Sequence, residues 1–420
     1  MPQVDGAFRE QGLNVRLGPT LMVAALIVLF IVLPAQLALN SPWRILVQTG
    51  PIVFLVVAGL CTLAGSHVVR IPRVLLLMTT ALLLVAVASV VAVGHPQALL
   101  VYGGLLAVFY AVGALAFGMA DRVRLIRYLL LGAAVSGILV IVGGLAVEPF
   151  GARRYQGLFN NPNSMGWLSA GLLHLTLGAL YGNRLKFSRW GRGVLWAAAG
   201  LAALMLFASN SRAALASVVA ILFLFGLLTW LRSVHWRKFS VSRRGLRKLV
   251  AGAVLALLGV GAAWYAGLLS ELIEKFRETQ QAGDVAQGRV DAWIASLRHW
   301  NWLGYGPDYA AAIGREGMVI GHSTWINQLS AYGVLNAVLF MSVFGYAAFW
   351  AWRAARRETH PGAVVLLSVV VGFGVNASFE TGTSTPGMWL AIILFAICLQ
   401  GGGYVRDWTE CRTGLGGARA

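Results

Sequence analysis

Long apolar runs recur along the whole chain, and they constrain its fold more than any other feature. The chain is 58% hydrophobic and 11% charged, whereas a soluble domain has roughly 25% charged residues. Apolar runs of about 17 to 25 residues are long enough to cross a hydrocarbon core of about 30 Å as helices. Twelve such spans are predicted, near residues 18–39, 43–65, 71–93, 97–119, 127–147, 164–182, 193–209, 213–231, 249–269, 323–352, 362–379 and 386–402. The sequence therefore predicts an all-α integral membrane protein with residues 1–420 as a single polytopic membrane domain.

The basic residues fall unevenly on the two sides of this predicted topology. A net charge of +18 would indicate a nucleic-acid partner in a soluble protein. With the N-terminus in the cytoplasm, however, 24 of the 33 Lys and Arg residues lie in inside segments and 9 lie outside. Because cytoplasmic loops are enriched in Lys and Arg, both termini are predicted to be cytoplasmic. The same asymmetry explains the charge without any nucleic acid, and the partners it indicates are membrane lipids.

Two outer loops are longer than the rest, residues 148–163 and residues 270–322. The second contains two short amphipathic patterns, "LLSELIEKF" and "RVDAWIASLRHW", each with apolar residues at helical spacing. It ends in the glycine- and proline-rich turn segment "NWLGYGPDY". Long loops in compact proteins are commonly functional or disordered. The pattern predicts that residues 270–322 form a partly helical lid over the outer face.

Eight of the nine outer basic residues are arginines, whose forked donors suit phosphate oxygens. Arg212 follows a tight polar turn, "ASNS", at the start of a descending span, where it binds either lipid headgroups or a ligand phosphate. Arg289 opens the second loop helix and points either to solvent or toward the membrane. Arg154 precedes "YQGLFNNPN", in which the Asn-Pro-Asn sequence predicts a turn and helix cap near Ser164.

His322 begins an apolar span and is followed by a polar stripe. Ser323, Asn327 and Ser330 are spaced to share one helical face, with Gln328 beside them. Such a stripe is expected to face the bundle interior or a water-filled cavity rather than lipid. The sequence therefore singles out His322 as a titratable group beside a polar surface.

Two further ionisable residues lie in or near predicted spans. Asn376 and Glu380 are four residues apart on one helical face, and Glu380 either orients a histidine or sugar hydroxyl or is a loop carboxylate. His174 lies in the middle of a span. A neutral histidine bonded to a neighbouring helix is the favoured interpretation, with a functional role as the alternative.

Several familiar signatures of catalysis are missing from the sequence. It contains no Asp-x-Asp motif for a metal-bound sugar nucleotide, no metal-ligand spacing, no phosphate loop and no Gly-x-Ser-x-Gly motif. The three cysteines are scattered and predict no disulfide framework. The remaining inventory suits an anionic substrate and acid–base chemistry, with no cofactor and no metal expected.

Four segments, in order, resemble the O-antigen ligase and O-antigen polymerase superfamily of polytopic membrane glycosyltransferases. They are "RYQGLFNNPNSMG", "SNSRAALAS", the pair "GRVDAW" and "LGYGPDY", and "HSTWINQLSAYGVLNAVLF". The resemblance covers about residues 150–345. It implies a glycan donor linked to polyprenyl (undecaprenyl) diphosphate. Transfer is implied on the periplasmic face of the bacterial inner membrane.

The resemblance also implies roles for individual residues. Arg212 and Arg289 match the family's arginines for the donor diphosphate, and Arg154 lies in its arginine-to-Pro-Asn stretch. His322 matches the histidine that is the base or orienting group for the acceptor hydroxyl, and Glu380 and Asn327 are candidate acceptor or orienting residues. Family members often have asparagine after this histidine, where this chain has Ser323, which leaves the details of the acceptor open.

The family contains two activities, which differ in the acceptor. A ligase transfers the glycan to a sugar of the lipid A core, whereas a polymerase transfers it to another lipid-linked glycan. The twelve-span layout with one long lid loop favours a ligase, with a polymerase as the alternative. A transporter or flippase is a third interpretation, less favoured because the longest loop lies outside and carries the candidate residues. The enzyme is expected to be metal-independent and to invert the anomeric centre, because one displacement needs no enzyme nucleophile.

Overall fold

The helices are the only extended secondary-structure elements in the described part of the chain. The computed structural model describes residues 73–94, 122–148, 155–159, 161–181, 185–235, 273–274, 277, 289–306, 309–312, 323–357 and 362–380. Its helices are α1 (Arg73–Val93), α2 (Arg122–Val147), α3 (Pro162–Leu180), α4 (Arg189–Ser209), α5 (Arg212–His235), α6 (Arg289–Arg298), α7 (Tyr309–Ala312), α8 (Thr324–Arg357) and α9 (Ala363–Phe379). No β-strand occurs in these residues, which confirms the predicted all-α class for this part of the chain.

The predicted spans and the observed helices agree in position wherever they can be compared, although the predicted span 323–352 contains a break. Helices α1 to α5, α8 and α9 coincide with seven predicted spans, and the other five predictions lie outside the described residues. Within the described residues, four helical segments are long and apolar enough to cross a membrane: Leu130–Val147, Arg189–Ser209, Arg212–Leu231 and Thr324–Arg356. Helix α9 is apolar but shorter, at 17 residues. The chain is thus built as a multi-pass membrane protein, while the total of twelve spans stays a prediction.

Helix α9 lies at the centre of the bundle. It packs against α3, α5 and α8, while α3 also packs against α4, α4 against α2, and α8 against α1. Most of its side chains are buried, including Val365, Val369 and Phe373. A helix that is apolar on all sides is expected to be enclosed by others. The surrounding helices instead expose apolar side chains on their outer surfaces, as lipid-facing helices do.

Helix α8 is broken at Gly333, where φ is 87° and ψ is 169°. In a straight helix, Trp325 and Phe344 would be about 28 Å apart along the axis, at 1.5 Å per residue. Their ring centroids are 5.1 Å apart. The chain therefore folds back at Gly333 into a short arm, residues 324–332, and a long arm, residues 334–357, and the predicted span 323–352 is not one continuous helix.

A segment from the long loop satisfies the backbone groups that this break leaves unpaired. The amides of Tyr305 and Gly306 donate to the carbonyls of Ser330 and Ala331 at the end of the short arm, at 3.0 and 2.9 Å. At the start of the long arm, the amide of Val334 donates to the carbonyl of Asn301 at 2.9 Å. Buried backbone groups need such partners. Residues 301–306, here called the clasp, are therefore part of the bundle and do more than cover it.

The clasp also reaches the first described helix. The hydroxyl of Ser89, near the end of α1, donates to the carbonyl of Leu303. Helix α6, directly before the clasp, buries Ala292, Ala295 and Ser296, whose hydroxyl lies 3.2 Å from the hydroxyl of Tyr309 in α7. The predicted second loop helix is thus confirmed as α6. The first predicted loop helix lies largely outside the described residues.

Most of the apolar stripe of α6 does not face the bundle, although Trp293 in that stripe is half-buried. Val290, Ile294 and Leu297 are exposed, as are Trp300 and Trp302 beyond the helix end. Small residues on the opposite face allow the helix backbone to approach the bundle closely, which leaves the larger side chains directed outward. The sequence periodicity predicted the helix correctly but did not show which face is buried.

Candidate functional site

The Asn-Pro-Asn sequence caps α3, as predicted. Asn161 has an extended backbone, with φ of −144° and ψ of 127°, and its side-chain oxygen accepts from the amide of Asn163 at 2.9 Å. Pro162 occupies the first helical position, where its missing amide hydrogen costs nothing. The helix therefore begins at Pro162, two residues before the predicted start at Ser164. This cap fixes Asn163 in the first turn of α3.

Glu380 joins three segments that are distant in sequence. Its carboxylate oxygen Oε1 accepts from Asn163 Nδ2 at 3.1 Å, across a separation of 217 residues. Its backbone carbonyl accepts from the hydroxyl of Thr324 at 2.9 Å. Asn163, Thr324 and Glu380, here called the polar junction, bring together the first turns of α3 and α8 and the end of α9. The two residues predicted to share a helical face have different surroundings. Asn376 is buried within α9, whereas Glu380 lies half-buried at the end of that helix.

The start of the short arm is attached to α9 by two further hydrogen bonds. Ser323 Oγ donates to the carbonyl of Ala377 at 3.3 Å, and Trp325 Nε1 donates to Ser378 Oγ at 3.3 Å. The ring of Trp325 also packs edge-on against Phe340 and Phe344. These contacts hold the residues directly after His322 in a defined position.

The polar stripe of the short arm faces inward, as predicted. Ser323, Gln328 and Ser330 are buried, and Asn327 is half-buried. The amide of Asn327 donates to the carbonyl of Ser323 at 2.9 Å, which starts the helical hydrogen-bond pattern of the short arm. Asn327 is therefore one turn away from the polar junction.

Arg212 is the first residue of α5 and follows a tight turn. Asn210 adopts the left-handed conformation, with φ of 55° and ψ of 35°, and ends α4. Gly166, in the first turns of α3, lies directly against this turn, since a Cβ there would approach Ser209 Oγ to 2.7 Å and also collide with Ser211. The half-buried Arg212 thus begins at the same end of the bundle as the polar junction.

The loop that follows α2 is fixed at the same end. The amide of Tyr155 donates to the carbonyl of Ala208 near the end of α4, at 3.0 Å. Glu148 Oε2 accepts from the amides of Gln156 and Gly157 at 3.2 and 2.7 Å. Burial, and secondly the charge of Glu148, raise the pKa of Tyr155 to about 12. The Tyr155 hydroxyl therefore keeps its proton at neutral pH.

The predicted site residues are described to different extents. Arg212, Asn327 and Glu380 lie at or near one end of the bundle, within the described residues. Arg289 opens α6, and only its backbone is described. Arg154 and His322 lie outside the described residues, although each directly precedes a described segment fixed by hydrogen bonds. The structure adds two side chains that the sequence did not single out for a role, those of Asn163 and Thr324. Their pairing with Glu380 spans distant parts of the chain, so no local pattern indicates it.

His174 lies deep in the bundle, away from this end. It is fully buried, and its Nε2 lies 3.2 Å from Ser217 Oγ in α5. Ser217 Oγ itself donates to the carbonyl of Ala214 at 2.7 Å. Because the one hydroxyl proton of Ser217 is used there, His174 Nε2 is the donor to Ser217. The favoured prediction of a histidine bonded to a neighbouring helix is confirmed.

Polar groups thus converge at one end of a largely apolar helical bundle. Within the described residues, no three His, Cys, Asp or Glu side chains come together as a group that could hold a metal ion. The described side chains at this end are amides, hydroxyls, one arginine and the carboxylates of Glu148 and Glu380. The class defined by the fold and site is a multi-pass helical membrane protein with a polar site at one end of its bundle.

Comparison with known families agrees with this class and makes it more specific. Residues 197–341 match the model of the family described as O-Antigen ligase. The matched segment runs from α4 into the long arm of α8 and contains Arg212, Arg289 and His322. Over this segment, about a third of its length, the chain is similar to the O-antigen ligase and O-antigen polymerase superfamily. No curated protein matches the chain.

Proposed function

We propose that this protein transfers a glycan from a polyprenyl diphosphate donor to an acceptor sugar hydroxyl at the outer face of the bacterial inner membrane. The observation that carries the proposal is the convergence of the first turn of α3, the turn before Arg212, the start of α8 and the end of α9. The family match over residues 197–341 supports the same class of reaction. The polar end of the bundle is the proposed active site.

Arg212 is proposed to bind the donor diphosphate. As the hydroxyl attacks the anomeric carbon, negative charge grows on the departing phosphate oxygens, and prepositioned cations stabilise that charge. Arg212 is half-buried at the N-terminus of α5, where the helix dipole also favours an anion. Arg289 and Arg154 are proposed as further ligands of the same diphosphate. The donor diphosphate would thus lie between the α4–α5 turn and the long outer loop.

His322 is proposed as the base that accepts the proton of the acceptor hydroxyl. An imidazole with a pKa near about 6.5 can do this at neutral pH, and general-base catalysis typically contributes about 10²–10⁴-fold. Support comes from the three hydrogen bonds that hold the next residues, Ser323 to Trp325, to the end of α9. A single displacement of this kind inverts the anomeric centre and needs no metal.

Glu380 and Asn327 are proposed to orient the acceptor sugar. Asn163 fixes the direction of the Glu380 carboxylate, and a carboxylate has lone pairs for more than one donor. Asn327 is half-buried one turn along the short arm and offers both a donor and an acceptor. A carboxylate and an amide together can accept from and donate to the hydroxyls of a sugar.

The acceptor is proposed to be a sugar of the lipid A core, which makes the enzyme an O-antigen ligase. This choice follows from the predicted layout of twelve spans with a single long outer loop. A polymerase that joins lipid-linked repeat units uses the same donor chemistry and the same residues. The acceptor alone separates the two activities.

Reconstituted transfer tests the proposed reaction. The purified protein is mixed with undecaprenyl diphosphate-linked glycan and either lipid A core or a second lipid-linked glycan, in the presence of a chelator. Transfer to lipid A core is expected to continue without added metal. Exclusive elongation of the lipid-linked glycan would identify a polymerase, and complete dependence on a divalent cation would contradict the mechanism.

Substitutions then test the residue assignments. Arg212→Ala and His322→Ala are each expected to lower kcat by about 10²–10³-fold, because each removes stabilisation of the transition state. The exposed Arg298, on the last turn of α6, provides a matched control, and Arg298→Ala should keep activity within about twofold. Normal kcat in both site variants, with normal membrane insertion, would refute these roles.

A further inference from the structure

The carboxylate of Glu148 binds the backbone of the loop that follows α2, and the proposed catalytic roles do not explain this contact. Its carboxylate accepts from two successive backbone amides, those of Gln156 and Gly157, at 3.2 and 2.7 Å. Charge-assisted bonds of this kind are stronger than neutral ones. The carboxylate is therefore engaged by the backbone of residues 155–159, which lie eight to twelve residues beyond the end of α2 at Val147.

The packing around this contact leaves little room for an alternative arrangement. Gly157 has a positive φ of 58°, and a Cβ there would approach the Met165 methyl group to 2.8 Å. Gly144, in the last turn of α2, would bring a Cβ to 3.0 Å from the Tyr155 hydroxyl. Tyr155 is itself buried. The loop thus has one tightly fitted position against α2 and α3.

The same loop is attached to the turn that leads to Arg212. The amide of Tyr155 donates to the carbonyl of Ala208, four residues before Arg212. That amide belongs to the peptide bond between Arg154 and Tyr155. The backbone after Arg154 is therefore fixed to the end of α4, while Glu148 fixes the next two amides.

We propose that Glu148 is a positioning residue that sets the affinity for the donor diphosphate by holding residues 155–159 against the α4–α5 turn that leads to Arg212. This inference rests on the proposed function. The carboxylate is occupied by backbone amides, so it acts as a scaffold for the loop beside the turn that leads to Arg212. Loss of the carboxylate would let the loop move and would weaken binding without changing the groups that take part in chemistry.

The test compares Glu148→Gln and Glu148→Ala with a neighbouring control, Val147→Ala. Val147 is exposed on the last turn of α2, so Val147→Ala should leave loop exchange, probe binding and transfer kinetics unchanged. Glu148→Gln keeps one acceptor oxygen for the amides, and Glu148→Ala keeps none. Three quantities are measured for each full-length variant: amide hydrogen exchange over residues 155–159, binding of farnesyl diphosphate as the probe, and the KM and kcat of glycan transfer.

Glu148→Ala is expected to speed exchange over residues 155–159 at least tenfold and to weaken farnesyl diphosphate binding about tenfold. The KM for the donor should rise by a similar factor while kcat stays within about threefold, and Glu148→Gln should recover part of the loss. A merely structural role would lower the amount of active protein and leave KM unchanged. Unchanged exchange in Glu148→Ala, or unchanged probe binding and KM, would overturn this inference. Failure of the wild-type protein to bind the probe or to transfer glycan would instead contradict the proposed function itself, and the inference with it.

Discussion

His174 occupies a space that a side chain on the facing helix would fill. Its ring lies directly over Gly372 of α9, and a Cβ at that position would collide with the ring atoms of His174. The ring is also anchored to Ser217 of α5. A polar group this deep in an apolar bundle needs a hydrogen-bond partner. At the scale of single residues, His174 therefore joins α3, α5 and α9 at one point.

Gly372→Ala is expected to destabilise the protein by about 1–3 kcal/mol, the usual cost of overpacking a core. The measurement is thermal unfolding in detergent. Gly345→Ala serves as a control, because a Cβ at that glycine meets nothing within 4 Å. In a His174→Ala background the cost of Gly372→Ala should largely disappear, because the ring is then absent. An equal loss in both backgrounds would contradict the contact.

Ser323 shows how a departure from a family pattern can be accommodated. The serine directly follows His322, at a position where the sequence resemblance leads one to expect asparagine. Its hydroxyl donates to the carbonyl of Ala377 at 3.3 Å. In this chain the position therefore joins the short arm to α9. The residue that left the details of the acceptor open in the sequence thus has a defined hydrogen bond to α9.

At the scale of elements, the break in α8 combines a turn with a tertiary contact. A straight helix of 34 residues would be about 51 Å long, well beyond a hydrocarbon core of about 30 Å. Folding back at Gly333 leaves a long arm of about 36 Å, which suffices to cross the core. Non-helical backbone at such a point is tolerated only where protein or water satisfies it. The clasp supplies those hydrogen bonds, so the long loop and α8 form one structural unit.

Gly333→Ala is expected to disrupt this unit. The backbone conformation at Gly333 is unfavourable for any other residue, at a cost of about 1–3 kcal/mol, and a Cβ would collide with the carbonyl oxygen of Trp302. Thermal stability should fall by about 2 kcal/mol or more, and amide exchange over residues 301–306 should accelerate. Gly345→Ala, in the long arm of the same helix, should show neither effect. Unaltered exchange in Gly333→Ala would show that the clasp does not depend on the break.

At the scale of the whole molecule, the helix ends that meet at the polar junction can be compared with the basic ends of the same bundle. One side of the bundle carries the polar junction. On that side lie the last residues of α4 and α9 and the first residues of α3, α5 and the short arm. The basic starts of α2 and α4 and the basic end of α8 belong to the opposite ends of their helices. Because Lys and Arg are retained on the cytoplasmic side, the polar junction is predicted to face the periplasm.

Reporter fusions test this orientation. Alkaline phosphatase fused after Gly151, in the outer loop, should be active, and the same reporter fused after Lys186 should be inactive. Green fluorescent protein at the same two positions is the matched control and should give the opposite pattern. Active phosphatase at Lys186 would place the polar junction in the cytoplasm and contradict the proposed site of transfer.

Much of the fold was accessible from sequence because the membrane restricts the choices. Each apolar run must satisfy its own backbone, so it forms a helix wherever it is buried in lipid. Local signals were equally informative at the caps, where Asn161 and Pro162 begin α3 and the turn at Asn210 precedes Arg212. The exposure of the apolar residues on α6 could not be predicted from the sequence, because periodicity identifies an amphipathic helix and does not show which face packs.

The sequence alone predicted the described helices, and it supplied the candidate residues and the proposed orientation, since these follow from runs, caps and charges that are local in the chain. The tertiary structure decided which helix ends meet. Asn163 and Glu380 are 217 residues apart, and the clasp reaches Gly333 from a separate loop. Such contacts depend on the packing of several helices at once. The polar junction and the break in α8 therefore follow from the assembled bundle, and no local pattern of residues indicates them.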